Sequence, residues 1–211
     1  MGADQTDIYI SADIEADGPI PGVYSMLACG LCVAGRFDGR EFTLADPEAE
    51  TFYTQLRPIS DTFDPEAVAV TGLDRDRLIT EAPEPEAAMT RLAEWLRTAA
   101  GADNPIIVGY PLIYDWMFLY WYLVRFARQD SPLTFSSGLD MKTMYQQKAR
   151  VVLSRAGKDD LPAALQSVRA HTHNALDDAL EQAEIFAKLF VWTGGATAGG
   201  LQGRLPPEPT S

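Results

Sequence analysis

The order of strand and helix signals along the 211 residues predicts an α/β fold. Its core is a mixed β-sheet, an antiparallel three-strand meander plus parallel strands, flanked by helices on both faces. Two observations carry this. The first 46 residues hold three strand-like runs joined by turns too short for a helix, with Gly35 and Asp38-Gly39 marking the second hairpin. After them, helix-period and strand-period segments alternate, as in sheets covered by crossover helices.

Strand one, over 7–15, alternates strictly: Ile8, Ile10, Ala12 and Ile14 take one face, and Tyr9, Ser11, Asp13 and Glu15 the other. It ends at the turn Gly18-Pro19-Ile20-Pro21-Gly22. Strands two and three are expected over 23–34 and 40–46. A crossing segment begins at Pro58 and Asp61, with a short helical piece over 65–70 that stops at Thr71-Gly72-Leu73. An amphipathic helix is expected over 83–100, with Met89, Leu92, Leu96 and Ala99 as its inner stripe and Gly101 closing it. A short buried strand over 104–110 leads through Pro111 into a helix over 115–127. That helix is apolar nearly all round, so it is central to the core or forms half of a homodimer interface. A short strand over 135–139 follows. Asp140 is placed to cap a helix over 141–154, and helices over 162–169 and 174–192 complete the domain. Residues 7–192 thus read as one domain and 193–211, with five glycines and three prolines, as a flexible C-terminal tail.

Composition narrows the function classes. Hydrophobic residues make up 46% and charged residues 22%, as in ordinary globular proteins. With no basic-then-apolar leader and no apolar run near 18 residues, the expectation is a cytoplasmic protein without a membrane partner. A net charge of −13 argues against wide wrapping of duplex nucleic acid. The charge is uneven, however: residues 125–169 hold 8 Lys or Arg against 4 Asp or Glu. Such a segment marks either a resting place for a phosphate backbone or two solvated helix faces. Cys29 and Cys32 have the C-x-x-C spacing but lie three apart on a buried strand, hence on opposite faces, and read as reduced core thiols.

The polar face of strand one is where chemistry is expected. Asp13 and Glu15 stand roughly 6–7 Å apart by strand rise, and such like charges repel unless a cation lies between them. Asp115 follows a buried strand at a helix start, where the helix dipole favours its ionised form. Near the other end, His171-Thr172-His173-Asn174-Ala175-Leu176-Asp177-Asp178 places a histidine before a helix and two acids in its opening turns. Asp177 is in register with Glu181, Glu184 and Lys188, a solvated stripe; Asp178 is in register with Gln182, Ile185 and Leu189, along the apolar flank. Asp178 is therefore the inward candidate.

The set Asp13-x-Glu15, Asp115, His173 and Asp178 resembles the DEDDh branch of the DnaQ-like 3′-to-5′ exonucleases, over roughly residues 7–192. The run His-Asn-Ala-Leu-Asp-Asp-Ala at 173–179 is the specific part, and Val-Thr-Gly-Leu-Asp at 70–74 supports it. The resemblance implies a ribonuclease H-like fold and an enzyme that releases nucleoside 5′-monophosphates from single-stranded RNA or DNA 3′ ends. It implies two Mg²⁺ or Mn²⁺ ions per active site, with Asp13 bridging them, Glu15 and Asp178 completing one site, and Asp115 helping to hold the other. His173 would deprotonate the attacking water, a role suited to an imidazole. Two departures are visible: Ala16-Asp17-Gly18 replaces the usual Thr-Thr-Gly, followed by a Pro-Ile-Pro-Gly insertion, and Tyr114 precedes the acid where a Phe is usual. The backbone of Ala16, Asp17 and Gly18 is expected to grip the terminal sugar, and Tyr110 and Tyr114 to offer stacking surfaces; Trp116 is expected in the core. Two rival readings use the same fold, a non-catalytic binding module and a metal-dependent endonuclease.

Overall fold

A computed structural model of the chain describes residues 5–127 and 131–194. Its strands are β1 (Asp7–Ala16), β2 (Met26–Phe37), β3 (Phe42–Leu44), β4 (Thr51–Gln55), β5 (Asn104–Gly109) and β6 (Gly138–Asp140). Its α-helices are α1 (Pro65–Thr71), α2 (Arg75–Glu81), α3 (Pro85–Ala100), α4 (Leu112–Phe126), α5 (Met141–Ala149) and α6 (Ala175–Val191). The sheet order is β3-β2-β1-β5-β6, with β4 also on β2. The pairs β1–β2, β2–β3 and β2–β4 are antiparallel, and β1–β5 and β5–β6 parallel, as expected of a mixed sheet.

β1 lies at the centre, and its alternation separates two cores. Ile8, Ile10, Ala12 and Ile14 pack under α3 and α4, while Tyr9 packs with Cys32 and Val108 under α5 and α6. Helices therefore cover both faces. Cys29 belongs to the first core and Cys32 to the second, both as free thiols.

Several boundaries differ from expectation, for local reasons. The third meander position is shared: β3 pairs only Gly35 to Phe37 of β2, and β4 pairs Ala28 to Cys32. Between them, residues 46–49 form a turn closed by Ala49 N–H donating to Asp46 C=O, so the expected 40–46 strand shortens. α2 was not anticipated; its seven residues are too few to show a period, although Asp74 caps it by accepting from Arg77 N–H. α4 starts three residues early because Asp140 on β6 accepts from Leu112 N–H at 2.8 Å. The same side chain accepts from Thr143 N–H and opens α5, as expected. α5 stops at Ala149, where Arg150 takes a left-handed φ of 57°. No helix forms over 162–169; that segment is turns, preceded by 3₁₀ turns at Leu153–Arg155 and Lys158–Asp160. α4 buries Phe118, Leu119, Tyr122 and Leu123, the core option of the two. Only residues 193 and 194 of the expected tail are described; the rest, 195–211, lies outside the described residues. Among the described residues, no helix is long and apolar enough to cross a membrane.

Candidate active site

The cleft forms where β1 ends beside the first turns of α4 and α6. Gly30 of β2 sits opposite Asp13 in the sheet register, and α6 rests directly on it: a Cβ there would lie 2.3 Å from the Ala175 carbonyl carbon. The missing side chain lets the α6 N-terminus come down onto the sheet and bring Asp178 to β1. Asp178 is 1% exposed and Asp177 is exposed, the orientation the helix register predicts. Carboxylate oxygens of Asp13, Glu15 and Asp178 all lie within 4.8 Å of one another. Asp115 reaches the same strand from α4, its Oδ1 accepting from Ile14 N–H at 3.2 Å, between Asp13 and Glu15. All four acids and His173 line one cleft of about 320 Å³. The structure thus brings together every metal-ligand candidate named from the sequence.

Burial dominates the electrostatics. Burial first, then the charges of Asp115, Glu15 and Asp178, push Asp13 well above the usual carboxylate range. Burial, Asp178 and Asp115 raise Glu15 to about 8. Burial raises Asp115 to about 7, against hydrogen bonds from the Ile14 and Asp115 backbone N–H groups and the charge of Lys158. Without metal ions, desolvation thus works against the helix N-terminus that favours the ionised form of Asp115. Lys158 also lines the cleft, but its ammonium donates to Glu181 Oε2 at 2.9 Å. A set of crowded, desolvated oxygen donors with one diverted cation fits hard divalent ions.

The loop before α6 wraps Asp178. Thr172 N–H donates to its Oδ1 and His173 N–H to its Oδ2, at 2.9 and 3.0 Å. His173 takes a left-handed φ of 56°, and Asn174 caps α6 by accepting from Leu176 and Asp177 N–H. Gln182, four residues beyond Asp178, donates to Asp13 Oδ1 at 2.8 Å and accepts from Tyr110 N–H. Sequence reasoning gave Gln182 and Lys158 no role and put Glu181 on a solvated stripe, whereas Glu181 is buried against Lys158. Gln182 was findable, because it continues the inward face of Asp178; Lys158 was hinted at only by the basic segment that contains it.

The expected substrate contacts are partly redirected. Asp17 N–H donates to Ser25 C=O at 2.9 Å, and the Asp17 carboxylate accepts from Ser25 N–H and Arg75 Nε. Asp17 therefore organises the turn after β1, and its amide is not free to hold a sugar. Gly18 C=O accepts from the Tyr114 hydroxyl, and Ala16 pairs with Met26 in the sheet. Tyr110 is buried, its hydroxyl donating to Ala156 C=O, so it acts as a strut rather than an open stacking platform. Tyr114, 38% exposed, keeps a face on the cleft. Trp116 stacks on Tyr120 against the core.

The sequence pattern of the RNase T exonuclease family matches residues 34–186. A 3′-5′ DNA exonuclease of Escherichia coli, Cap18, is 33% identical over 181 residues, which span 85% of this chain and 90% of the relative. The fold is that of a full-length 3′-exonuclease crystal structure (TM-score 0.63, 13% identity, 90% of this chain and 83% of that one). It is also that of the nuclease domain of 3′hExo, a DEDDh family member solved with rAMP bound (TM-score 0.61, 13% identity, 88% and 92%).

Proposed function

Because the chain belongs to the DEDDh-type, DnaQ-like exonuclease family, whose members hydrolyse phosphodiester bonds, we propose that it shortens single-stranded nucleic acid from the 3′ end, DNA in preference to RNA, using two Mg²⁺ or Mn²⁺ ions. The carrying observation is the meeting of Asp13, Glu15 and Asp178 within 4.8 Å, with Asp115 tied between the first two. The preference for DNA is supported by the E. coli relative, which is a DNA exonuclease.

In this reading Asp13, Glu15, Asp115 and Asp178 hold the ions. Bound there, the ions stabilise charge on the attacking and departing oxygens of an in-line displacement. Gln182 fixes the Asp13 carboxylate, and the Thr172 and His173 amides fix that of Asp178. A ring nitrogen of His173 takes a proton from the attacking water. The water oxygen bonds to phosphorus, the bond to the 3′ oxygen breaks, and the shortened strand keeps a 3′-hydroxyl. The product is a nucleoside 5′-monophosphate. Tyr114 is the aromatic surface open to the terminal base, and of the Ala16 to Gly18 backbone the Asp17 N–H is already held by Ser25 C=O.

The test uses 5′-labelled linear DNA and RNA and a circular single strand, with Mn²⁺ or with chelator. Stepwise shortening of the linear strand in Mn²⁺, none in chelator and an intact circle are expected. A cut circle would assign the chain to the endonucleases, and binding without hydrolysis to the non-catalytic modules.

A further inference from the structure

The cleft contains a second donor set of a different chemical kind. One ring nitrogen each from His171 and His173 and a carboxylate oxygen of Asp178 lie within 4.8 Å of one another. His171 Nδ1 stands 3.1 Å from Asp178 Oδ1 and 3.4 Å from Glu181 Oε2. Two donors at about 2.0–2.1 Å from a tetrahedral zinc ion are separated by about 3.3 Å. The 3.1 Å between His171 and Asp178 therefore matches neighbours in one coordination shell, with a His173 nitrogen within 4.8 Å of both. The left-handed backbone at His173 turns its ring edge-on to that of His171, with centroids 4.6 Å apart. Both Asp178 oxygens are already oriented by backbone amides, the outer support that metal ligands need. Lys158 holds the Glu181 carboxylate beside the set.

We infer that His171, His173 and Asp178 form a site for a borderline divalent cation of the zinc class, and that filling it inhibits the nuclease. Imidazole nitrogens suit Zn²⁺, whereas hard Mg²⁺ prefers the all-oxygen set of Asp13, Glu15 and Asp178, which shares its last carboxylate with this site. Three protein ligands leave a fourth position for water. A zinc ion on His173 occupies the nitrogen lone pair that otherwise accepts a proton. The inhibition rests on the role given to His173 above; the binding does not.

Calorimetric titration of the full chain with zinc chloride, in large excess of Mg²⁺, tests the site without nucleic acid. The expected result is one zinc ion per chain, bound more than about tenfold more weakly by both His171→Ala and His171→Gln, and unchanged in Asp13→Asn. Circular dichroism checks that each variant is folded. Zinc binding that persists in both His171 variants, or that disappears in Asp13→Asn, assigns the ion to the carboxylate set and overturns the site, as does no binding. In Mn²⁺-supported hydrolysis, with each variant referred to its own zinc-free rate, the zinc concentration that halves the rate should rise at least about tenfold in His171→Gln. Zinc binding through His171 in a chain that hydrolyses no 3′ end would support the site and defeat the exonuclease reading.

Discussion

Asp13, Glu15 and Asp115 are raised above the ordinary carboxylate range, the last two to about 8 and about 7. Unfolded, such groups titrate near 4. Between about pH 4 and 8 the folded chain therefore holds more protons than the unfolded one, and its stability falls as pH rises. In chelator, the melting temperature should drop from pH 5 to pH 8; Mn²⁺ should restore it, by more at pH 8 than at pH 5. A flat metal-free profile would contradict the cleft electrostatics. Asp13→Asn should then move two readouts in opposite directions. It raises the metal-free melting temperature at pH 8 by removing an acid that ionises freely only in the unfolded chain, and it lowers Mn²⁺-supported hydrolysis on the order of 10³-fold or more. His173→Ala should lower the rate by about 10²–10⁴-fold while Mn²⁺ affinity stays within a few-fold. The face that each acid takes was legible at this scale, because strand period and helix register are local signals; their convergence was expected from the resemblance to the DEDDh exonucleases. The contact of His171 with Asp178 was not, since it depends on a left-handed turn at His173 that no residue pattern announces.

At the scale of elements, the site depends on how closely α6 approaches β2. Gly30→Ala puts a methyl 2.3 Å from the Leu176 amide nitrogen. The helix must lift, which should cost about 1–3 kcal/mol in urea unfolding and weaken Mn²⁺ binding, because Asp178 rides on that first turn. Arg75 makes a second link at the same end of β1, just past Glu15. It is 9% exposed at the side chain and paired at 2.9 Å with the fully buried Asp17 carboxylate, joining α2 to the turn after β1. Arg75→Ala should destabilise the fold by about 3–5 kcal/mol, because a buried charge is left unpaired. The long elements α3 and α6 and the strand β1 were legible from period alone. α2 was too short to show one. The 162–169 segment carries Leu165 and Arg169 at helical offsets, yet Leu165 is anchored by a turn bonded to Pro162 C=O, and Gln166 bonds back to Leu161 C=O.

For the whole molecule, three of the eight basic residues in 125–169 are engaged inside the protein. Lys148 donates to the carbonyls of Leu189, Phe190 and Trp192 at the end of α6, Arg169 bridges Glu48 and Glu184, and Lys158 holds Glu181. Those three are held by protein partners, whereas Arg125, Arg150 and Arg155 of the same segment are exposed. With a net charge of −13, hydrolysis of short oligomers should fall with salt at a log–log slope no steeper than about −2, far below that of a duplex-wrapping protein. A slope near −6 would imply an extended cationic path.

The two cysteines, back to back on β2 with one in each core, have burial-raised thiol pKa values of about 12. Each is thus a silent chemical clock for its own layer. A thiol-specific dye reacts with Cys32 only when the α5–α6 blanket peels off, and with Cys29 only when α3–α4 does. Single-cysteine variants would time the two events separately, and unequal clocks would mean that the half carrying His173 and Asp178 can breathe while the other half stays shut.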